Sequence, residues 1–110
     1  MTTFIDWDSV ALQQLSPGVR IRTPFGKNIM LSLVEIDAGW VVPTHSHPHE
    51  QIAYVLSGRI DFHIGDEVIT LGAGGLLVIP PNAVHWGVVV GDDPVLNLDV
   101  FTPKRTEYAS

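Results

Sequence analysis

Three of the five histidines in the sequence lie close together, at His45, His47 and His49. His45 and His47 are two residues apart, and side chains at that spacing point to the same face of an extended strand. Imidazole nitrogens are common metal ligands, so the pair predicts one half of a metal site. Gln51 has the same parity, and His85, much later in the chain, is the candidate fourth ligand.

The residues by themselves leave alternatives open around this pair. If Pro48 breaks the strand parity, Glu50 is the ligand and Gln51 is a structural hydrogen-bonding residue. His49 follows Pro48 directly, so it is either a substrate contact or a plain loop residue. In a purely structural interpretation, His45 and His47 are ordinary surface histidines.

The predicted ligand set determines what the metal would do. Three imidazoles and one amide oxygen are neutral, so a bound divalent ion retains its positive charge and acts as a Lewis acid. Nitrogen-rich ligation suits Ni, Zn, Mn, Fe or Cu, and the sequence does not distinguish among these ions.

A carboxylate and a cation near the end of the sequence could complete such a site. Asn97, Asp99 and Phe101 share one face of a predicted strand. If that face is the inner one, burial would raise the pKa of Asp99 into the range useful for acid–base catalysis. Arg105 offers a planar fork for a carboxylate. The alternatives are an exposed edge-strand Asp99 and an ordinary tail cation at Arg105.

Short apolar runs separated by Gly, Pro, Asn and Asp predict an all-β fold, a sandwich or a barrel. The strands are expected at residues 28–37, 40–43, 51–56, 59–64, 67–71, 76–79, 85–90 and 95–102. The run 76–79 is expected to be a fully buried strand. The N-terminal segment is helical or irregular: residues 4–14 are the only helix candidate, capped by Asp8 or Ser9 and ended by Pro17 and Gly18.

Composition narrows the classes of function. The 110 residues, 45% hydrophobic and 16% charged, predict one globular domain over residues 1–110. A net charge of -6 without a Lys/Arg cluster argues against nucleic acid as a partner. Residues 68–91 carry no charged side chain, but glycines and prolines interrupt them, so no membrane span is expected. The absence of cysteine and of an N-terminal secretory pattern leads us to expect a cytoplasmic protein.

Two stretches of the sequence resemble the paired motifs of the cupin superfamily. The first, residues 39–58, has in order Gly39, His45, His47, Gln51 and Gly58; the second, residues 74–85, has Gly74, Pro80, Asn82 and His85. The resemblance implies a double-stranded β-helix, a jelly-roll barrel with a metal at its mouth. Three positions depart from the usual pattern, since Gln51 replaces the usual Glu ligand, Gly75 replaces a frequent Asp and Asn82 replaces a common Gly.

A narrower resemblance extends over most of the chain. The strings at residues 17–19, 45–51 and 98–105 are similar to those of the single-domain pectin-degradation cupins. These proteins convert 4,5-unsaturated uronates, the products of pectin and alginate lyases, to linear 5-keto-4-deoxyuronates. The resemblance implies four metal ligands, which are His45, His47, Gln51 and His85. It also implies three residues around the substrate, which are Asp99, Phe101 and Arg105.

The sequence therefore predicts a metal-dependent isomerase of uronate catabolism, with a small anionic sugar as its partner. Two alternatives are a different metal-dependent cupin oxygenase or isomerase acting on a small molecule, and a non-catalytic cupin that binds a small molecule. By analogy with other cupins, a homodimer is expected.

Overall fold

The computed structural model of the protein describes residues 2–107, so both ends of the predicted domain 1–110 lie outside the described residues. Strands dominate the described chain, and the all-β prediction is confirmed. The ten strands are β1 Gln13–Ser16, β2 Val19–Arg22, β3 Met30–Ile36, β4 Val41–His45, β5 Glu50–Ser57, β6 Ile60–Ile64, β7 Glu67–Leu71, β8 Leu76–Ile79, β9 His85–Val89 and β10 Val95–Thr102.

The strands form two antiparallel sheets that enclose one core. The larger sheet has the order β1-β2-β3-β10-β5-β8, and the smaller sheet has the order β4-β9-β6-β7. Buried residues from both sheets, among them Val55 and Val95 from the first and Ile60 and Val89 from the second, pack in a single cluster. Neighbours in each sheet are often distant in sequence, which is the connectivity of a jelly roll.

Side-chain alternation sets which residues face the interior. In β3 the buried residues are Met30, Ser32, Val34 and Ile36, as the sequence pattern predicts. In β10 every second residue from Val95 to Phe101 is buried. Strand β10 lies between β3 and β5, so its inward side chains stand at the centre of the larger sheet.

The N-terminal segment before β1 is largely irregular, and the helical alternative offered for residues 4–14 is wrong. Within that range Trp7–Ser9 form a single 3-10 turn, and Asp6 caps it by accepting a hydrogen bond from the Asp8 backbone N–H at 3.0 Å. Three residues cannot offset the cost of nucleating a longer helix.

A hairpin follows the 3-10 turn. Strands β1 and β2 pair across Pro17 and Gly18, which therefore end a strand and not a helix. A side chain at position 18 would overlap the Trp40 ring, because a Cβ atom there would lie 2.3 Å from it. The alternation of Val19 and Ile21 with arginines was the sequence signal for this pairing.

Strand β8 has the predicted bounds but is not fully buried. Leu76 is 65% exposed and Val78 is 57% exposed, whereas Ile79 is buried. The strand is at the edge of the larger sheet, and its outer face has no covering layer among the described residues.

No helix in the described part of the chain is long and apolar enough to cross a membrane.

Candidate metal centre

Strand pairing brings two of the predicted ligands together. His45 is the last residue of β4 and His85 is the first residue of β9, and the two are register partners in the smaller sheet. Their ring centroids are 4.1 Å apart. Both lie at the end of the barrel where β4 enters the turn that leads to β5.

His47 lies just beyond β4, in the segment that connects it to β5. The backbone N–H of Asn82 donates a hydrogen bond to the His47 carbonyl at 2.7 Å. Asn82 has a φ of 66°, a left-handed conformation that asparagine tolerates better than most residues. A residue of the second motif thus holds the backbone of the first, and His47 comes to lie beside His45 and His85.

Backbone carbonyls orient all three imidazoles. The Nδ1 atom of His45 contacts the Pro43 carbonyl at 2.8 Å, and the other two rings contact the carbonyls of His49 and Ala83 at 3.1 and 2.9 Å. A carbonyl only accepts, so each Nδ1 carries the hydrogen and each neutral ring has its lone pair on Nε2. One nitrogen from each ring lies within 4.8 Å of the others.

Burial favours the neutral rings that a metal requires. Desolvation lowers the pKa of His85 to about 4, and its Nε2 is buried without a hydrogen-bond partner among the described residues. Desolvation, followed by the charge of Arg105, also lowers the pKa of His47. An unpaired lone pair inside a protein is unfavourable unless a ligand takes it up.

Gln51 adds an oxygen to the group. Its Nε2 donates a hydrogen bond to Oδ1 of Asp99 at 2.8 Å, which turns Oε1 toward Nε2 of His47 at 3.1 Å. Both of these facing atoms are acceptors when His47 is neutral, and a cation between them would remove the repulsion. Gln51 is buried, whereas its neighbour Glu50 is exposed on the other face of β5.

The residues therefore fit a divalent metal. Three imidazole nitrogens and an amide oxygen converge, and the second nitrogen of every imidazole is already engaged. This donor set suits Zn, Ni, Cu or Fe better than Mg or Ca. The convergence matches the predicted set His45, His47, Gln51 and His85, whose role as ligands remains a prediction.

Asp99 is the acidic group of the site. It is 9% exposed and accepts hydrogen bonds at Oδ1 from the side-chain amides of Gln51 and Asn97, both at 2.8 Å. Desolvation raises its pKa to about 6, against the opposing effect of these two hydrogen bonds and the charge of Arg105. Asp99 thus points into the barrel, which is the inward alternative posed by the sequence.

Phe101 and Arg105 lie next to the histidines. The Phe101 ring is edge-on to His47 at 5.6 Å, and the Arg105 guanidinium lies 5.2 Å from the centre of the Phe101 ring. Arg105 also pairs with Glu107, with 2.8 Å between Nε and Oε1. Arg105 is therefore part of the site wall and not a free tail cation.

These residues line a cavity of about 120 Å³ inside the barrel. One end is polar and includes His45, His85, Gln51 and Asp99. The rest of the wall is mainly apolar and comes from β2, β3 and β6, with residues such as Ile21, Val34, Ile36, Ile60 and Phe62. A small molecule held there would have its reactive part at the polar end.

Of the two remaining histidines, His49 lies close to this group and His63 lies apart from it. The His49 ring is 5.5 Å from the His47 ring, and its Nδ1 is buried with no partner among the described residues. His63 stacks on Trp86 at 3.7 Å across the β6–β9 pair, and it is not among the converging ligands.

Asn97 was not among the site residues predicted from the sequence, although it shares a strand face with Asp99. Asn97 is 3% exposed, lines the cavity and contacts Asp99 directly. An asparagine in the middle of a strand is unusual, and that was the available signal.

Comparison with known protein families gives a match to one family model. The cupin domain model matches residues 32–101 of this chain. The matched region contains both motifs and all of the converging ligands.

Individual relatives extend the similarity to nearly the full chain. The chain is 30% identical over 107 residues to the pectin degradation protein KdgF of Dickeya dadantii, covering 96% of each chain. The structure of KdgF from Halomonas sp. superposes with a TM-score of 0.86 at 27% identity, covering 97% of this chain and 98% of that one. An RmlC-like cupin from Shewanella frigidimarina has a TM-score of 0.87 at 22% identity, covering 98% and 96%, and shows the shared fold alone.

Proposed function

Because the chain belongs to the cupin family, we propose that it is a metal-dependent enzyme acting on unsaturated uronate monosaccharides. The reaction is the conversion of a 4,5-unsaturated uronate to a linear 5-keto-4-deoxyuronate. The similarity to pectin-degradation proteins over 96% of the chain supports a sugar-derived substrate.

One observation carries this proposal. The hydrogen bond from Gln51 to Asp99, 2.8 Å long, connects the converging metal ligands to a buried carboxylate inside the same cavity. A site that only bound a metal for structural reasons would have no need of a buried acid beside it. The pair thus supports a reaction in which a polarised oxygen and a mobile proton are adjacent.

Residues His45, His47, Gln51 and His85 would hold the divalent metal. When bound, the metal would polarise sugar oxygens as a Lewis acid, and its neutral ligands would leave its positive charge unreduced. The charge of the metal also accounts for how a protein of net charge -6 binds an anion, because the site is locally positive.

Asp99 is assigned the proton transfers. Its carboxylate accepts the proton of the C1 hydroxyl while the bond between C1 and the ring oxygen breaks, which leaves an aldehyde and an enol oxygen at C5. Delivery of a proton to C4 then gives the 5-keto product. The sequence is an isomerisation, so atoms and electrons balance with no oxidant or water consumed, and a positioned acid suits it.

Arg105 and Phe101 are assigned to binding. The guanidinium presents a planar fork that matches a carboxylate, and it lines the cavity close to Asp99 and His47. The buried Phe101 ring offers an apolar surface on which the face of a sugar can pack. Together they would orient the substrate with its ring oxygen toward the metal ligands.

The direct experiment follows the unsaturated chromophore of a lyase product in the presence of metal-loaded protein. We expect its loss to be faster than the spontaneous rate, and chelation followed by reloading to abolish and restore the acceleration. Glu50→Gln is the matched control, because Glu50 is exposed and adjacent to Gln51. This variant should convert the substrate at the wild-type rate. No acceleration by the loaded protein would contradict the proposal.

Two measurements separate the alternatives. An oxygenase would consume oxygen with a redox-active metal and not with zinc, whereas the isomerase consumes none. A non-catalytic binding protein would show neither turnover nor any effect of Asp99→Ala on the spontaneous rate.

A homodimer is part of the proposal, and the outer face of the larger sheet supports it. Apolar side chains form two adjacent rows across β3, β10, β5 and β8. The rows are Leu31, Val100, Ile52 and Val78, and Leu33, Leu98, Tyr54 and Leu76. A contiguous apolar patch on a small domain is typical of an interface. Sedimentation of wild type and of Leu76→Lys would test it, because a buried lysine should dissociate the dimer.

The cytoplasm is the proposed location, supported by a chain without cysteine, which suits a reducing compartment. Fractionation of cells that express the protein would test this assignment. Recovery outside the cytoplasmic fraction would contradict it.

A further inference from the structure

Asn97 is a buried cavity residue to which the proposed reaction gives no role. It lies on β10 between Val34 of β3 and Val55 of β5, and it is 3% exposed. A primary amide among valines is unfavourable unless both its donor and its acceptor are paired. Its partners therefore indicate what the residue does.

Among the described residues, only the donor of Asn97 has a partner. Nδ2 donates to Oδ1 of Asp99 at 2.8 Å, whereas Oδ1 of Asn97 is buried and accepts no hydrogen bond from the residues that the structure describes. Turning the amide over would bring its oxygen against the carboxylate oxygen, so Asp99 determines the orientation. The hydrogen bond to Asp99 explains the position of the Asn97 side-chain nitrogen, but it gives no reason for a buried, unpaired oxygen on the same amide.

Asn97 lines the same cavity, one step farther along β10 from the metal ligands than Asp99. Along β10, Phe101 contacts His47, Asp99 follows two residues earlier, and Asn97 two residues earlier again. Two residues of strand correspond to about 6.6 Å, so Asn97 stands one side chain beyond Asp99. A ligand that reached from the histidines past Asp99 would meet Asn97 next.

We propose that Oδ1 of Asn97 accepts a hydrogen bond from a hydroxyl of the ligand, at the end remote from the metal ligands. The identity of that ligand as a sugar acid rests on the proposed function. The hydroxyl donates, the amide oxygen accepts, and Nδ2 keeps its bond to Asp99. A site with a buried acceptor of this kind rejects an analogue that lacks the hydroxyl, because the acceptor is then left unpaired.

Calorimetric binding to the zinc-loaded protein tests this assignment without turnover. The probes are galacturonate and its 2-deoxy and 3-deoxy analogues. Wild type should bind at least one deoxy analogue about tenfold or more weakly than galacturonate. Asn97→Leu, which has a similar volume and no polar atom, should bind the three probes with affinities within about twofold of each other.

Ser32→Ala is the matched control. Ser32 is a buried polar residue that lines the same cavity and pairs with Asp99 across β3 and β10, but it makes no contact assigned to the ligand. This variant should retain the discrimination of wild type. Retention by Ser32→Ala together with loss by Asn97→Leu would assign the discrimination to the Asn97 amide and not to a general change in the cavity.

The outcomes separate this inference from the proposed function. Equal affinity of wild type for all three probes overturns the role of Asn97 with no variant required, and so does discrimination that persists in folded Asn97→Leu. In a further outcome, wild type discriminates among the probes and Asn97→Leu loses that discrimination, while the unsaturated uronate is not converted. That result would support the role of Asn97 and contradict only the proposed reaction. Absence of binding of all three probes overturns the role of Asn97, and the chromophore assay then decides on the reaction separately.

Discussion

The two ends of the barrel interior differ in chemistry although the same strands build them. On β10, Val95 faces a core of aliphatic residues such as Val55 and Val89, whereas Asp99 faces the side-chain amides of Gln51 and Asn97. The apolar end stabilises the fold by about 25 cal/mol for each Å² removed from water. The polar end opposes folding, because it desolvates an acid and leaves lone pairs unpaired. The residues that weaken the fold in this protein thus lie in the part to which the proposed function assigns the chemistry.

The largest expected effect comes from neutralising the acid at the polar end. Asp99→Asn retains an oxygen that can accept from Gln51 and Asn97 but cannot exchange a proton. Turnover of the unsaturated uronate should fall by about 10²–10⁴-fold, as measured by loss of the chromophore.

The same variant should stabilise the metal-free protein at neutral pH. Burial raises the pKa of Asp99 from 3.8 to about 6, which corresponds to about 3 kcal/mol. An acid whose pKa is raised by folding destabilises the folded state only where it is ionised. The advantage of Asp99→Asn is therefore complete above about pH 6 and disappears near pH 4, which denaturant titrations at several pH values would measure. A variant less stable than wild type at pH 7 would contradict the contrast between the two ends.

A truncation at the apolar end should have the opposite profile. Ile60 is 1% exposed in the core cluster, and Ile60→Ala should lower the free energy of unfolding by about 2–5 kcal/mol. Metal affinity should stay unchanged, because Ile60 contributes no donor atom. Denaturant unfolding and zinc titration of one preparation would measure both, and a large loss of zinc affinity would argue against separate roles.

Gln51 tests how the polar end divides metal binding from catalysis. Gln51→Glu supplies a charged oxygen, so zinc should bind more tightly, by on the order of tenfold or 1.4 kcal/mol. The change also removes the donor to Asp99 and sets two carboxylates side by side, so turnover should fall by about 10–100-fold. Glu50→Gln is the control, and equal effects of the two substitutions on zinc affinity would contradict the assignment of Gln51.

The smallest expected effect is at the rim of the site. Glu107 is about half exposed and pairs with Arg105 across 2.8 Å. Glu107→Gln should weaken the competition of Glu107 with an anionic substrate for the guanidinium and lower KM by about two- to fivefold, since exposed pairs contribute about 0.2–1 kcal/mol. Steady-state kinetics at low ionic strength would detect the change, and a raised KM would indicate that Glu107 positions Arg105 for binding.

Much of the fold could be predicted from local pattern. Strands β7, β8 and β10 have the predicted bounds, because period-two alternation and Gly or Pro turns mark them. The helical alternative for the N-terminal segment was wrong, because residues 13–16 become a strand only through pairing with Val19–Arg22. The exposure of Leu76 and Val78 could not be predicted either, because an apolar run has the same sequence pattern in an edge strand and in a central strand.

The sequence by itself determined which residues could be ligands and which faces of the strands they share. His45, His47 and Gln51 are neighbours in sequence, and the alternation of β10 placed Asp99 on one face with Asn97 and Phe101 without deciding whether that face is the inner one. Spacing carries this information, because strand geometry repeats every two residues.

Tertiary structure alone decided how these residues meet. The Gln51–Asp99 hydrogen bond joins positions 48 residues apart, and His85 reaches His45 only because β9 pairs with β4 in that register. It also left the oxygen of Asn97 buried without a partner, which no local pattern encodes. The physical reason is that register between distant strands depends on packing of the whole core, whereas a sequence window reports only its own periodicity.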